Sequence, residues 1–263
     1  MKILKTAIVL LLILGVLTAF FVLTKPGRER TPEKVTQTPS PEVLGIPENR
    51  GGVEIKISER AFKAQYLKVE NNQDITLAAN FKEKRASQHI LREEGCMNLI
   101  SGGFYTEDFK PTGLFISEKS QIKGFVSSSL LNSIFSVNDF ETPRITRNIP
   151  QDPLRFAVQA GPLLKENGYK LDLALAKDSE ERRVAVGVTG ENQTIFMVFY
   201  DPLSVFLGPK LEDLPTAVEI FEGKARIKLA DAMNLDGGSA SAFITQDFSL
   251  KELSVLGSYF CIK

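Results

Sequence analysis

Asp236 is the residue whose neighbours most invite chemistry. It stands in Asn234-Leu235-Asp236-Gly237-Gly238-Ser239-Ala240-Ser241, where an apolar run hands one carboxylate to two glycines and two hydroxyls. A carboxylate so placed can act as a nucleophile, act as a base for water, or cap a tight turn. Glycines beside it let a ligand approach main-chain N–H groups with no side chain in the way. The only histidine, His89, lies in the polar stretch SQHILREEG and reads as an exposed helix residue. Ser239 and Ser241 therefore lack a credible base, which excludes a serine-hydrolase triad. A single histidine also excludes a multi-histidine metal site. Cys96 and Cys261 form no CxxC pair, so a zinc ribbon is excluded as well. The two cysteines can bridge or remain buried thiols. The sequence assigns no cofactor and no metal.

Three further glycine-marked segments display polar groups at the ends of strand-like runs: SGGFYTEDFKPTGLFI (101–116), QAGPLL (159–164) and RVAVGVT (183–189). Arg183 could bind a phosphate with its forked donors, or it could belong with Arg182 to a solvated charge run after KDSEE. Gln159 and Asn234 lie between apolar residues, where an amide either meets a ligand or satisfies buried backbone. Phe104 and Tyr105 can stack on a sugar or pack in a core.

The elements that must position these groups are mostly strands. VEIKI (53–57) alternates apolar and polar residues, QYLKVE (65–70) and DITLAANF (74–81) flank an Asn71-Asn72 turn, and RFAVQAGPLL (155–164) ends at Gly161-Pro162. Two apolar runs around Gly190-Glu191-Asn192 predict a hairpin. Helical patterns are fewer and include SSSLLNSIF (127–135) and LEDLPTAVEIFEG (211–223), the latter with Pro215 in its first turn and Gly223 as its stop. Strands outnumber helices and do not alternate with them. The expected fold is α+β, a mixed and mainly antiparallel sheet with few helices.

Acidic and basic residues balance at 32 each, so nothing indicates a nucleic-acid partner. The N-terminus differs from the rest. Between Lys5 and Lys25 lie 19 uncharged residues, a run of about 28 Å as a helix, enough to span a hydrocarbon core. No small-x-small cleavage site follows, which favours an uncleaved signal anchor over 1–25 and contact with the membrane through residues 4–24. Residues 26–52 are rich in proline, threonine and charge and read as an extended tether. The expected layout is a single transmembrane helix, a tether and a globular domain over 53–263, with the domain outside the cytoplasm. Flanking charges are balanced and do not set the orientation.

In this order the four glycine segments resemble the phosphodiester glycosidase family. The first looks like its Asn-Gly-Gly-Phe-Phe element with a later Pro-x-Gly, here Gly102, Gly103, Phe104, Pro111 and Gly113, with Ser101 where the family has asparagine. Gln159, Gly161 and Pro162 match Gln-x-Gly-Pro, and Arg183, Ala185, Val186 and Gly187 match Arg-x-Ala-(Val/Ile)-Gly. Asn234-Leu235-Asp236-Gly237-Gly238 with hydroxyls behind it is the most specific element. The resemblance covers roughly residues 75–262 and implies hydrolysis of a sugar-1-phosphodiester at the anomeric C–O bond, within surface polysaccharide or glycolipid. It implies Asp236 as the catalytic carboxylate and Arg183 as the phosphate cation. Gly102, Gly103, Phe104, Gln159, Gly161, Asn234, Gly237, Gly238 and Ser239 would line the substrate. With asparagine absent at 101, a non-catalytic module that binds glycan or a phosphate-bearing polymer is the competing expectation.

Overall fold

The computed structural model describes residues 52–263; the expected anchor, and all of the expected tether but Gly52, lie outside the described residues. Among the described residues no helix is long and apolar enough to cross a membrane.

Three antiparallel sheets and two helices make an α+β domain. The largest sheet runs β1 (Val53–Ile57), β2 (Arg60–Lys68), β13 (Thr194–Tyr200), β12 (Arg183–Thr189), β14 (Leu229–Asn234), β10 (Leu163–Glu166), β11 (Tyr169–Lys170). A second sheet has the order β16 (Ser249–Leu250), β15 (Phe243–Ile244), β4 (Asn98–Ser101), β17 (Ser258–Ile262), β3 (Ile75–Ala79). The third is β6 (Ser120–Lys123), β5 (Phe115–Ser117), β9 (Leu154–Ala160), β7 (Ser133–Asn138), β8 (Pro143–Thr146).

Strand parity explains the layering. In β12, Val184, Val186 and Val188 point to one face and join Phe135, Phe156, Phe196 and Phe260 in the main core, which all three sheets share. Ala185 points to the opposite face, where Met197, Phe199 and Ile195 pack under helix α2 (Leu214–Ala225) through Leu214, Val218 and Phe221. Both faces of β12 and β13 are therefore buried, which is why they read as unbroken apolar runs. The expected hairpin joins them, with Arg183 opposite Phe199.

Two expected helical features differ. Residues 127–135 form no helix, because Ser133–Asn138 is a strand buried along its whole length between β8 and β9. The helix at 211–223 exists, but Gly223 does not stop it; the left-handed residue that ends it is Arg226, whose N–H donates to Glu222 O. Helix α1 (Ser87–Glu94) carries His89 on its exposed side. Cys96 and Cys261 form a disulfide with Cα atoms 5.3 Å apart, tying the loop before β4 to β17.

Candidate active site

Three strands end and a fourth begins close to Asp236. β4 stops at Ser101, β9 at Ala160 and β14 at Asn234, while β12 begins at Arg183. These are the positions of the four glycine segments, and main-chain hydrogen bonds join them around Asp236. The Asp236 N–H donates to Gly102 O at 3.0 Å, and Ser101 Oγ donates to the Asp236 carbonyl at 3.0 Å. Leu235 N–H donates to Val184 O, and Gly238 N–H to Arg182 O, both at 2.8 Å. Asn234 reaches the remaining segment, giving its N–H to Pro162 O at 3.0 Å and its Nδ2 to Gly161 O at 2.9 Å. Ser101 thus holds the aspartate's own backbone in place.

The Asp236 carboxylate is half-buried and surrounded by few compensating charges. Burial pushes it up to about 8; the Gly237 N–H that bonds to it opposes the rise, and the negative charge of Glu181 adds to it. The Tyr105 hydroxyl faces the same space. Burial raises it first and the charge of Asp236 second, while its proton goes to Val255 O at 2.6 Å.

The glycines do a different job from the one expected. Gly102 N–H donates to Ser258 O at 2.9 Å and Gly103 N–H to Ser258 Oγ at 3.1 Å, so neither is left for a ligand. A Cβ on Gly102 would lie 2.4 Å from Ser258 Oγ, and one on Gly103 2.4 Å from Val158 Cγ2. These residues are small so that β4 can run against β17 and β9. Gly237 and Gly238 likewise give their N–H groups to Asp236 and Arg182. Ser239 is exposed, its Oγ 3.4 Å from Ser254 Oγ. Phe104 packs its half-buried ring against the main core.

Gln159 turns from the site altogether. Its Oε1 accepts from Leu114 N–H (2.9 Å) and Val126 N–H (3.0 Å), and its Nε2 donates to Val126 O (2.6 Å) and Leu131 O (2.7 Å). The amide is fully occupied in clamping two loops. Arg183 is also structural: its Nε donates to Pro209 O at 3.1 Å and its Nη2 to Ser179 O and to Asp178 Oδ1, the last at 3.2 Å. Asp178 in turn accepts from Leu211 N–H and Glu212 N–H, ahead of α2. Arg183 therefore anchors the helix side of the sheet.

Its neighbour Arg182 points the other way, beneath the glycine turn, and is fully buried. Nε donates to Ser241 Oγ (2.8 Å), Nη1 to Val205 O (3.3 Å), and Nη2 to Lys251 O (3.0 Å) and to Ser241 O. Burial lowers its pKa to about 10 against the opposing pull of Glu252. Among the described residues no carboxylate lies at ion-pair distance from it, and Glu252 offsets only part of the positive charge under the turn that follows Asp236. Sequence reasoning passed over Arg182 as part of a charge run. The signal was strand parity, since a residue one step before Arg183 must face the side that Val184 faces beyond it.

The family model for phosphodiester glycosidases matches residues 94–256, from the end of α1 to the loop before β17. The chain belongs to the phosphodiester glycosidase family. The matched span holds all four segments that meet at Asp236. Among solved structures, the catalytic domain of zebrafish N-acetylglucosamine-1-phosphodiester α-N-acetylglucosaminidase, auto-inhibited by its pro-peptide, is similar with a TM-score of 0.63 and 13% identity. The match covers 80% of this chain and 81% of that one. A hypothetical protein from Synechocystis gives 0.61 and 12%, over 81% of this chain and 61% of its own. At these identities the likeness is one of fold. No curated protein matches the sequence.

Proposed function

We propose that this phosphodiester glycosidase hydrolyses sugar-1-phosphodiesters, with Asp236 as a catalytic carboxylate. The observation that carries the reading is the convergence of all four motif segments on that one residue, at a strand-end site where its proton is held to near-neutral pH. Cleavage of a glycosyl phosphate by water is helped by a carboxyl group that gives a proton to the leaving oxygen, which an Asp236 that keeps its proton can do, and by a positive potential for the anionic leaving group. Arg182 supports the second through its field, since Glu252 offsets only part of its charge and the carbonyls around it leave the net positive sign unchanged. The zebrafish relative's named substrate, an N-acetylglucosamine-1-phosphodiester, makes that sugar the first to try.

The same proposal extends to location. An apolar segment at 4–24 and a tether to residue 52 would hold the domain outside the cytoplasm, where surface polysaccharide or glycolipid offers such linkages. The Cys96–Cys261 bridge supports an oxidising compartment.

The full-length chain, in detergent, is to be incubated with UDP-N-acetylglucosamine and a panel of other sugar-1-phosphodiesters, following released sugar for wild type and Asp236→Ala. Turnover lost in the variant, with circular dichroism unchanged, is the expected result. An inert wild type with saturable binding to a surface glycan would replace the hydrolase by a binding module.

A further inference from the structure

We infer that Glu181 is the second carboxylate of this reaction, the base that activates the attacking water across from Asp236. The inference rests on the hydrolase reading above and names the partner that a single carboxylate lacks. Three acidic residues lead into β12. Asp178 is paired with Arg183 at 3.2 Å and Glu180 with Arg60 at 2.7 Å, but Glu181 has no cation at ion-pair distance among the described residues. Its side chain instead lies on the glycine turn: a Cβ on Gly238 would fall 2.6 Å from Glu181 Oε2. Oε1 accepts from Ser179 Oγ at 2.8 Å, which fixes the carboxylate in that orientation. Gly238, at φ +61°, has a left-handed backbone that favours glycine, and the Glu181 carboxylate lies in the space left beside it.

The charges around the pair assign its roles. Glu181 is half-buried, and its negative charge adds to the burial that keeps the proton on Asp236 at neutral pH. Arg183 faces Glu181 from β12, with its Nε donating to Pro209 O and its Nη2 to Ser179 O and Asp178. Arg182 lies beneath the turn, bound to Ser241 and to carbonyls, and Tyr105 gives its proton to Val255 O. Glu252 is held off by Ser87 N–H. One further group is kept for a ligand: Asn234 is 2% exposed and its Oδ1 has no partner, an acceptor fit for a sugar hydroxyl two residues from Asp236.

The step balances as an inverting hydrolysis. Glu181 takes a proton from water as the water oxygen bonds to the anomeric carbon. The carbon–oxygen bond to phosphate breaks, its electron pair leaves on that oxygen, and Asp236 supplies the proton. Products are the free sugar of inverted configuration and a phosphomonoester.

The test uses the full-length chain, with UDP-N-acetylglucosamine and the other sugar-1-phosphodiesters of the panel, as wild type, Glu181→Gln, Glu181→Ala and Asp236→Asn. Glu181→Gln is expected to lower kcat at least about 100-fold with KM within about threefold, and to erase the acidic limb of the pH–rate profile. Sodium azide should restore Glu181→Ala at least about tenfold by forming a glycosyl azide of inverted anomer, a rescue that a purely structural residue would not give. Asp236→Asn should erase the alkaline limb. Glu181→Gln within threefold of wild type, or product of retained configuration by NMR, overturns the role of Glu181 while leaving the hydrolase reading intact. Wild-type turnover in Asp236→Asn overturns the catalytic role of Asp236 and this inference with it, while an inert wild type overturns the hydrolase reading itself.

Discussion

Replacing Asp236 by asparagine should stabilise the domain, by an amount that grows as pH rises from about 4 to about 8. The carboxyl ordinarily ionises at 3.8 and is raised in the folded chain to about 8, chiefly by burial. Between those values the folded state holds a proton that the unfolded chain has released. Stability from this residue is therefore full below about pH 4, falls as pH rises, and levels off above about pH 8. At about 1.36 kcal/mol per tenfold change in acidity the ceiling is near 6 kcal/mol. For a domain of this size that ceiling is about 12–24 °C in Tm. Thermal melts by circular dichroism from pH 4 to 9 should give curves that coincide at the acid end and diverge by that amount by pH 8. Parallel melting curves across the range, or a wild type gaining on the variant as pH rises, would refute the argument that Asp236 is held protonated.

Further outcomes bear on the reassigned residues. Gln159→Leu should cost about 3–5 kcal/mol, because Leu114 N–H, Val126 N–H, Val126 O and Leu131 O all lose their partner; urea titration at fixed pH measures it. Arg183→Ala should lower stability by about 2–4 kcal/mol by stranding Asp178, yet leave KM for a sugar phosphodiester within about threefold. A KM more than tenfold higher would return Arg183 to the phosphate. Serine at both Cys96 and Cys261 should cost about 3–5 kcal/mol, read as a lower urea midpoint that tris(2-carboxyethyl)phosphine reproduces in the wild type.

Much of the strand framework was legible because burial writes itself into periodicity. β1 falls on the alternating VEIKI, and the β12–β13 hairpin on two apolar runs around a turn. The stretch 127–135 misled for the converse reason: Leu131, Ile134 and Phe135 carry helical spacing, but β8 and β9 take up both edges of the strand that begins at Ser133. At the site, the order of the glycine segments led to Asp236, while the roles of single side chains were hidden. Arg182 and Arg183 are the same residue type in adjacent positions, and only the parity of β12 sends one beneath the turn and the other to Asp178. The use of glycine was ambiguous in the same way. An open backbone and a crowded one both call for it, and at Gly102 and Gly103 the crowding by Ser258 and Val158 decides. Cysteine spacing left bridge and thiols equally open until β17 brought Cys261 to the loop before β4.

The position of β17 also governs when this chain can fold. Its residues Cys261 and Phe260 pair with Thr76 and Leu77 of β3 on one side and with Leu99 and Ile100 of β4 on the other. Both neighbours leave the ribosome long before the strand that separates them, and until it arrives each has an unmatched edge. Contacts this distant in sequence form slowly and late. The second sheet, the disulfide and the Ser258 contacts that seat Gly102 and Gly103 all wait on the same few residues. A growing chain of this design keeps both of those edges open until β17 emerges, and losing β17 would take away two sheet interfaces and the contacts that seat Gly102 and Gly103 together.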